Sequence, residues 1–151
     1  MSDGVSFKIS VDDSRIRAAL MGLIALGQDL SPVMRDLAVY GENSTKRRFE
    51  FGIGPNGTPW KKSLRAQLTG GKTLVEHRVL VGSIQPESGR DWAAWGSNVK
   101  YARIHQLGGE AGRKSHRVQI VARLYLGVNA DDEAEMLAII QLKLRGALHA
   151  G

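Results

Sequence analysis

A Gly-Lys-Thr loop, four histidines and two glycine-flanked serines are the residues of this chain whose chemistry could be catalytic. Residues 66–73, AQLTGGKT, fit a relaxed phosphate-loop pattern with Ala66 in the first glycine position. Such a loop cradles phosphate only between a strand and a helix, whose N-terminal N–H groups point at the anion. The preceding WKKSLRAQ is a poor buried strand, and no apolar run ending in Asp follows to hold magnesium. His77, His105, His116 and His149 never stand at the i, i+4 spacing that lets two imidazoles share a metal from one helix face. His105 reads instead as a hydrogen-bonding residue at a turn. Ser83 and Ser97 each follow a glycine, but neither lies in a G-x-S-x-G elbow. Asp12 and Asp13 read as a helix cap rather than a general acid and base. There is no cysteine, which excludes disulfides, thiolate zinc sites and a Cys nucleophile. The expectation is a protein with no catalytic residues, no metal and no cofactor.

Charge points elsewhere. The 151 residues carry a formal net charge of +6, distributed unevenly. Residues 1–45 are net −2, 46–90 net +6, 91–130 net +4 and 131–151 net −2. A basic middle between mildly acidic ends suits a polyanion or an acidic protein surface. Lys61, Lys62, Arg65 and Lys72 lie near Trp60, and Arg113, Lys114 and Arg117 form a second cluster. No nucleic-acid-reading motif accompanies them, so contact with DNA is expected to be non-specific at most. The apolar run Ala18 to Leu26 follows Asp3, Asp12 and Asp13, has no small-residue cleavage site after it, and is too short for a bilayer, which needs about 20 residues. The default expectation is a soluble cytoplasmic chain, with no membrane partner.

The elements that must position these residues are predicted as follows. In VSFKISV, Val5, Phe7, Ile9 and Val11 alternate with polar neighbours, the period of a strand. Asp12, Asp13 or Ser14 caps a helix running to about Gly27, with Ile16, Leu20, Leu23 and Ile24 on one stripe. Ser31 as N-cap and Pro32 at the first helical position open a second helix. Its stripe is Val33, Leu37 and Tyr40, with Met34, Ala38 and Thr45 beside it; Lys46, Arg47 and Arg48 fall in its last turns, and Gly52 stops it. Residues 52–78 read as loop, with a turn at Asn56-Gly57, and 108–117 as a second, Gly-rich and basic loop. Val79, Val81 and Ile84 suggest a strand broken by Gly82; Asp91 to Ser97 and Arg117 to Val121 suggest two more, with a short helical turn between them. Asp131 or Asp132 caps a last helix with Leu137, Ile140, Leu144 and Leu148 on its apolar stripe. The predicted class is α+β: one domain over 1–151, with two N-terminal helices and a C-terminal helix packed on a mainly antiparallel sheet.

One ordered set of segments is more specific. RRFE at 47–50 is followed by GPNGTPW at 54–60, LTGGKTL at 68–74, VGSI at 81–84, WGSNVKYARIHQLGG at 95–109 and VARLYLG at 121–127. In this order, over roughly residues 31–145, the chain resembles the virion-morphogenesis proteins of tailed phages, the Mu-like tail-completion family. That family's pattern is G-P-D-G-x-x-W, then G-S, then Y-A-x-I-H-Q-x-G-G, then P-A-R-x-F-L-G. Here Asn56 replaces the aspartate, Val121 the proline and Tyr125 the phenylalanine.

The resemblance implies a non-enzymatic structural protein of the phage neck or tail end. It implies a homo-oligomeric ring, compatible with sixfold symmetry, that completes the tail and helps join it to the DNA-filled head. The implied partners are the tail terminator or tail tube and the head-completion or connector proteins, with non-specific contact to DNA in the channel. The alternative is a basic nucleic-acid-binding protein without sequence specificity. The interface candidates are Trp60, Lys61, Lys62, Tyr101, His105, Gln106, Arg113, Lys114 and Arg123. Trp60 is expected to pin its loop or to insert into a neighbour. Arg123, whose rigid fork of donors suits carbonyls or a carboxylate, is expected to tie the YARIHQLGG turn or a neighbouring subunit to the sheet.

Overall fold

The computed structural model describes residues 13–62, 68, 79–99, 102–111, 114 and 117–150. The expected strand at 5–11, the phosphate-loop-like segment at 66–73 apart from Leu68, and His77, Tyr101, Arg113 and His116 lie outside the described residues.

Helix α1 spans Ser14–Ala25, where Asp13 caps it by accepting the Arg15 and Ile16 N–H groups. This buries Ile16, Ala19 and Leu23 and leaves Ile24 exposed. Helix α2 spans Ser31–Phe51 and ends at Gly52 in the left-handed conformation. Ser31 does not cap it. The residue before the helix is Leu30, and the Asp29 carboxylate takes both the Ser31 N–H and its hydroxyl, because Ser31 already lies inside the first turn.

After 52, the chain makes a tight loop in which Ile53 bridges to Pro59 around the Asn56-Gly57 turn. The strand expected at 79–84 is a short helical turn instead, α3 (Val79–Gly82). Ser83 N–H bonds back to the Val79 and Leu80 carbonyls, the Ser83 hydroxyl bonds to Leu80 O, and Leu80 and Ile84 are buried. Local closure and burial here override the β preference of two valines, which is a packing preference more than a backbone one.

Strands β1 (Gln85–Ser88) and β2 (Ala93–Gly96) form an antiparallel pair. Helix α4 (Ala102–Leu107) is the expected helical turn. It leads into β3 (Gly109–Ala111), which pairs antiparallel with β4 (Val118–Ile120). Helix α5 spans Ala130–Ala150. The expected single sheet is thus two two-stranded sheets among the described residues, and the α+β class stands.

Helix α2 lies against both β1 and β2 and against α5, and α5 also packs on α1. The core between them contains Leu23, Val33, Leu37, Phe49, Trp95, Tyr125 and Ile140. Trp95 approaches α2 so closely that a Cβ on Gly41 would lie 2.2 Å from its ring. The indole therefore packs directly on the helix backbone, and only glycine leaves the room.

Gly41→Ala should destabilise the protein by about 1–3 kcal/mol, the usual cost of overpacking. Gly146, also helical, has nothing within 4 Å of its Cβ position. Gly146→Ala should stabilise by about 0.5–1 kcal/mol. Urea unfolding of the two variants checks this, and equal effects would overturn the close-packing account.

Candidate functional site

The segment between β4 and α5, residues 121–129, has no regular structure, yet Tyr125 and Leu126 are buried. Backbone polar groups without a ladder must be satisfied some other way when they leave water. Side chains from three distant elements do this. Gln106, buried on α4, accepts the N–H groups of Tyr125 (2.9 Å) and Leu126 (3.1 Å) through Oε1 and donates Nε2–H to Leu126 O (3.2 Å). Arg48, buried on α2, donates to Tyr125 O (3.0 Å) and Gly127 O (2.9 Å). Trp60 donates its indole N–H to Leu124 O (2.8 Å). The Tyr125 hydroxyl bonds to Ala102 O, and its ring packs on Phe49, which meets Trp60 edge to face at 5.4 Å.

A second layer holds Arg48. Its other guanidinium nitrogen pairs with Asp132 on α5, both side chains buried. Asp132 also accepts from the Tyr40 (2.9 Å) and Ser44 (2.6 Å) hydroxyls and from the Asn129 N–H (3.0 Å). Asn129 Oδ1 accepts the Asp132 N–H in return, a reciprocal cap of the α5 N-terminus. The cap is thus Asn129, not Asp131 or Asp132 alone, because the helix starts at Ala130. Asn129 Nδ2 also donates to Pro55 O, tying in the 52–60 loop. Burial would raise the Asp132 carboxyl, but hydrogen bonds from Ser44, Asn129 and Tyr40, with the Arg48 charge, hold it below its ordinary range. Burial lowers Arg48 despite its partner, and lowers His105, with the Arg123 charge adding to the effect.

The chain matches the model of the phage virion morphogenesis family over residues 11–145. It is 37% identical over 126 residues to the Mu-like prophage FluMu G protein 2 of Haemophilus influenzae, covering 83% of this chain and 86% of that one. It is 29% identical over 153 aligned positions to the putative capsid assembly protein G of Escherichia phage Mu, covering 95% and 97%. The chain belongs to the phage virion morphogenesis family. No solved structure matches it.

Four of the motif segments that carry the family resemblance meet at residues 121–129, the strap, with RRFE supplying Arg48. GPNGTPW supplies Trp60, YARIHQLGG supplies Gln106, and VARLYLG is the strap itself. Of the interface candidates, Gln106 and Arg123 are buried, Trp60 is half-buried against the core, His105 is half-buried, and Lys61, Lys62 and Lys114 are exposed. Arg123 does reach the 102–109 turn, but through its backbone N–H to His105 O (2.8 Å). Its guanidinium goes the other way, with Nε donating to Lys61 O (2.7 Å).

Arg48 and Asp132 were not among the sequence candidates. Asn129-x-x-Asp132 is a legible capping pattern, whereas nothing local marks Arg48 as a carbonyl clamp. An open groove of about 700 Å³ beside this network is lined by Tyr40, Arg47, Phe51, Asp131 and Glu135, among others. Ser83 and Ser97 bond to each other at 2.6 Å, a joint between α3 and β2 rather than a nucleophile with a base. Among the described residues no group of three or more metal-ligating side chains is gathered.

Asp132, ordinarily near 3.8, is lowered in the fold, so its contribution is fully present above that value and lost as pH falls through the folded value. His105, ordinarily 6.5, is also lowered, so it adds a loss that begins as pH drops below about 6.5. Stability by urea unfolding should fall from neutral pH to pH 3. Asp132→Asn should cost about 3–5 kcal/mol at pH 7, as for a broken buried pair, and flatten the acid limb. An unchanged acid limb would remove Asp132 from the account. Gln106→Ala strands two buried N–H groups and should cost about 1–3 kcal/mol for each.

Proposed function

We propose that this phage virion morphogenesis protein is a non-enzymatic component of the neck or tail end, forming a ring that completes the tail and helps join it to the DNA-filled head. The observation that carries the reading is where its family motifs are spent. Trp60, Gln106 and the 121–127 strap hold one another through hydrogen bonds to backbone, and no nucleophile, base or metal set accompanies them among the described residues. Polar side chains used this way make a rigid platform that presents surface to other proteins. The Mu relative is described as a putative capsid assembly protein, which supports a role among virion components.

Lys61, Lys62 and Lys114 are exposed and suit acidic partner surfaces or DNA in a channel. Head-to-tail contacts between copies close into a ring when their rotation allows it. The ring interface is drawn through the exposed edge of Trp60 and through Lys61, Lys62, His105 and Lys114, with Tyr101 and Arg113 as further contacts. Gln106 and Arg123 position the strap beneath it.

Loss of the gene should leave DNA-filled heads and tails of normal length that do not join, seen by electron microscopy of lysates. Empty or absent capsids would refute the joining role. Trp60→Ala separates two uses of that ring: an interface residue would impair assembly more than it lowers the melting temperature, whereas a loop anchor would do the reverse. The net charge of +6 favours one second reading, non-specific nucleic-acid binding. In that case the purified protein should bind any DNA duplex with an affinity that falls steeply with salt.

A further inference from the structure

The strap leaves large apolar side chains in solvent where it emerges from β4. Leu107, Val121 and Leu124 are 53%, 40% and 46% exposed. Leu107 lies beside the start of the strap, and Leu124 follows three residues further along it. Gly108 adopts a left-handed φ of 74°, and a Cβ there would sit 2.9 Å from Ala122 N and 3.0 Å from Ile120 O. That close backbone approach sets Leu107 beside Val121 and Ala122. On the other flank, Trp60 binds Leu124 O and Arg123 binds Lys61 O, which brings the 60–61 backbone against the strap.

The backbone here resembles a strand edge that is partly open, with Leu124 O already taken by the Trp60 indole. Burial alternates along Ala122, Arg123, Leu124 and Tyr125: exposed, buried, exposed, buried. The β3–β4 ladder ends at Ile120. Beyond it, the Leu124 N–H and both backbone polar groups of Ala122 have no hydrogen-bond partner among the described residues. Unpaired backbone flanked by apolar side chains is what an added extended segment uses: main-chain bonds give affinity, and the side chains give selectivity.

The charge around this edge is positive. Lys61 and Arg103 are exposed, and neither has an ion-pair partner among the described residues. Glu110, the carboxylate of β3, is already paired with Arg117. DNA would use the cations but not three apolar side chains, whereas an acidic peptide with apolar residues uses both. We propose that Leu107 and residues 121–124 form a docking edge for an extended acidic and apolar segment of a protein partner, whose carboxylates meet Lys61 and Arg103. That this partner is another virion component rests on the assembly reading above; the docking edge does not.

The test titrates the full-length protein with a short fluorescent peptide alternating leucine and aspartate. A peptide with lysine in place of aspartate and a short DNA duplex serve as comparisons. The acidic peptide should bind and the lysine peptide should not. Lys61→Glu with Arg103→Glu, and separately Leu107→Ser with Leu124→Ser, should each weaken binding by at least about tenfold, or 1.4 kcal/mol, with melting temperature unchanged. In the unsubstituted protein, hydrogen exchange should show the Leu124 and Ala122 amides protected by the peptide, a readout that survives if a variant misfolds. The proposal falls if the acidic peptide does not bind or does not protect those amides. It falls equally if the serine variant binds as well as before, leaving charge alone. Loss of DNA binding without peptide binding would assign the edge to nucleic acid. Loss of self-association in the serine variant would assign it to a second copy. Filled, unjoined particles on gene deletion would leave the joining reading standing even if the peptide failed to bind.

Discussion

A segment without secondary structure cannot be buried unless something else satisfies its backbone. Residues 121–129 meet that constraint with side chains, and much of the rest of the molecule is arranged around it. Gln106 acts as a surrogate strand, offering one acceptor and one donor where a neighbouring backbone would stand. Arg48 takes two carbonyls with one terminal nitrogen while the other pairs with Asp132, a spread of donors that a lysine's single nitrogen would not reproduce. The helix that carries Arg48, the turn that carries Gln106 and the loop that carries Trp60 are thereby tied to the same few residues.

Asp132 gives this arrangement its second anchor. A buried guanidinium with only carbonyl partners would leave its charge uncompensated, at a cost of several kcal/mol. The carboxylate on α5 compensates it and is itself surrounded by two hydroxyls and a backbone N–H. Such a pair adds little net stability over an apolar substitute. Its geometric effect is specific: it sets where α5 starts relative to α2, and through Asn129 and Pro55 it sets the 52–60 loop as well. The strap is thus rigid from beneath, and a rigid support lets its exposed side chains meet a partner without first being ordered.

Several residues of the site stand out in the sequence. The tryptophan closing GPNGTPW, the glutamine of YARIHQLGG and the arginine of VARLYLG are marked by their motifs, and each touches the strap or belongs to it. Their direction was not legible. Arg123 sends its guanidinium to Lys61 rather than to the 102–109 turn, since its own backbone N–H already occupies His105 O. Gln106 faces inward because a helical turn of six residues has one buried side, which Ala102 and Gln106 share at i, i+4.

The sequence by itself determined the three long helices, through apolar periodicity and the cap at Asp13, the proline at 32 and the stop at Gly52. It also determined the family, through motif order. These are local or linear signals, carried by residues a few positions apart. Only the tertiary structure decided that Val79–Gly82 is helical, that the strands form two small sheets among the described residues, and that Arg48 and Asp132 form the buried centre. Those two residues are 84 positions apart. In the sequence each looks like an ordinary helix-end charge, Arg48 in the last turn of α2 and Asp132 in the first turn of α5. Their pairing follows from desolvation, which acts only once α2, α5 and the strap have closed over them.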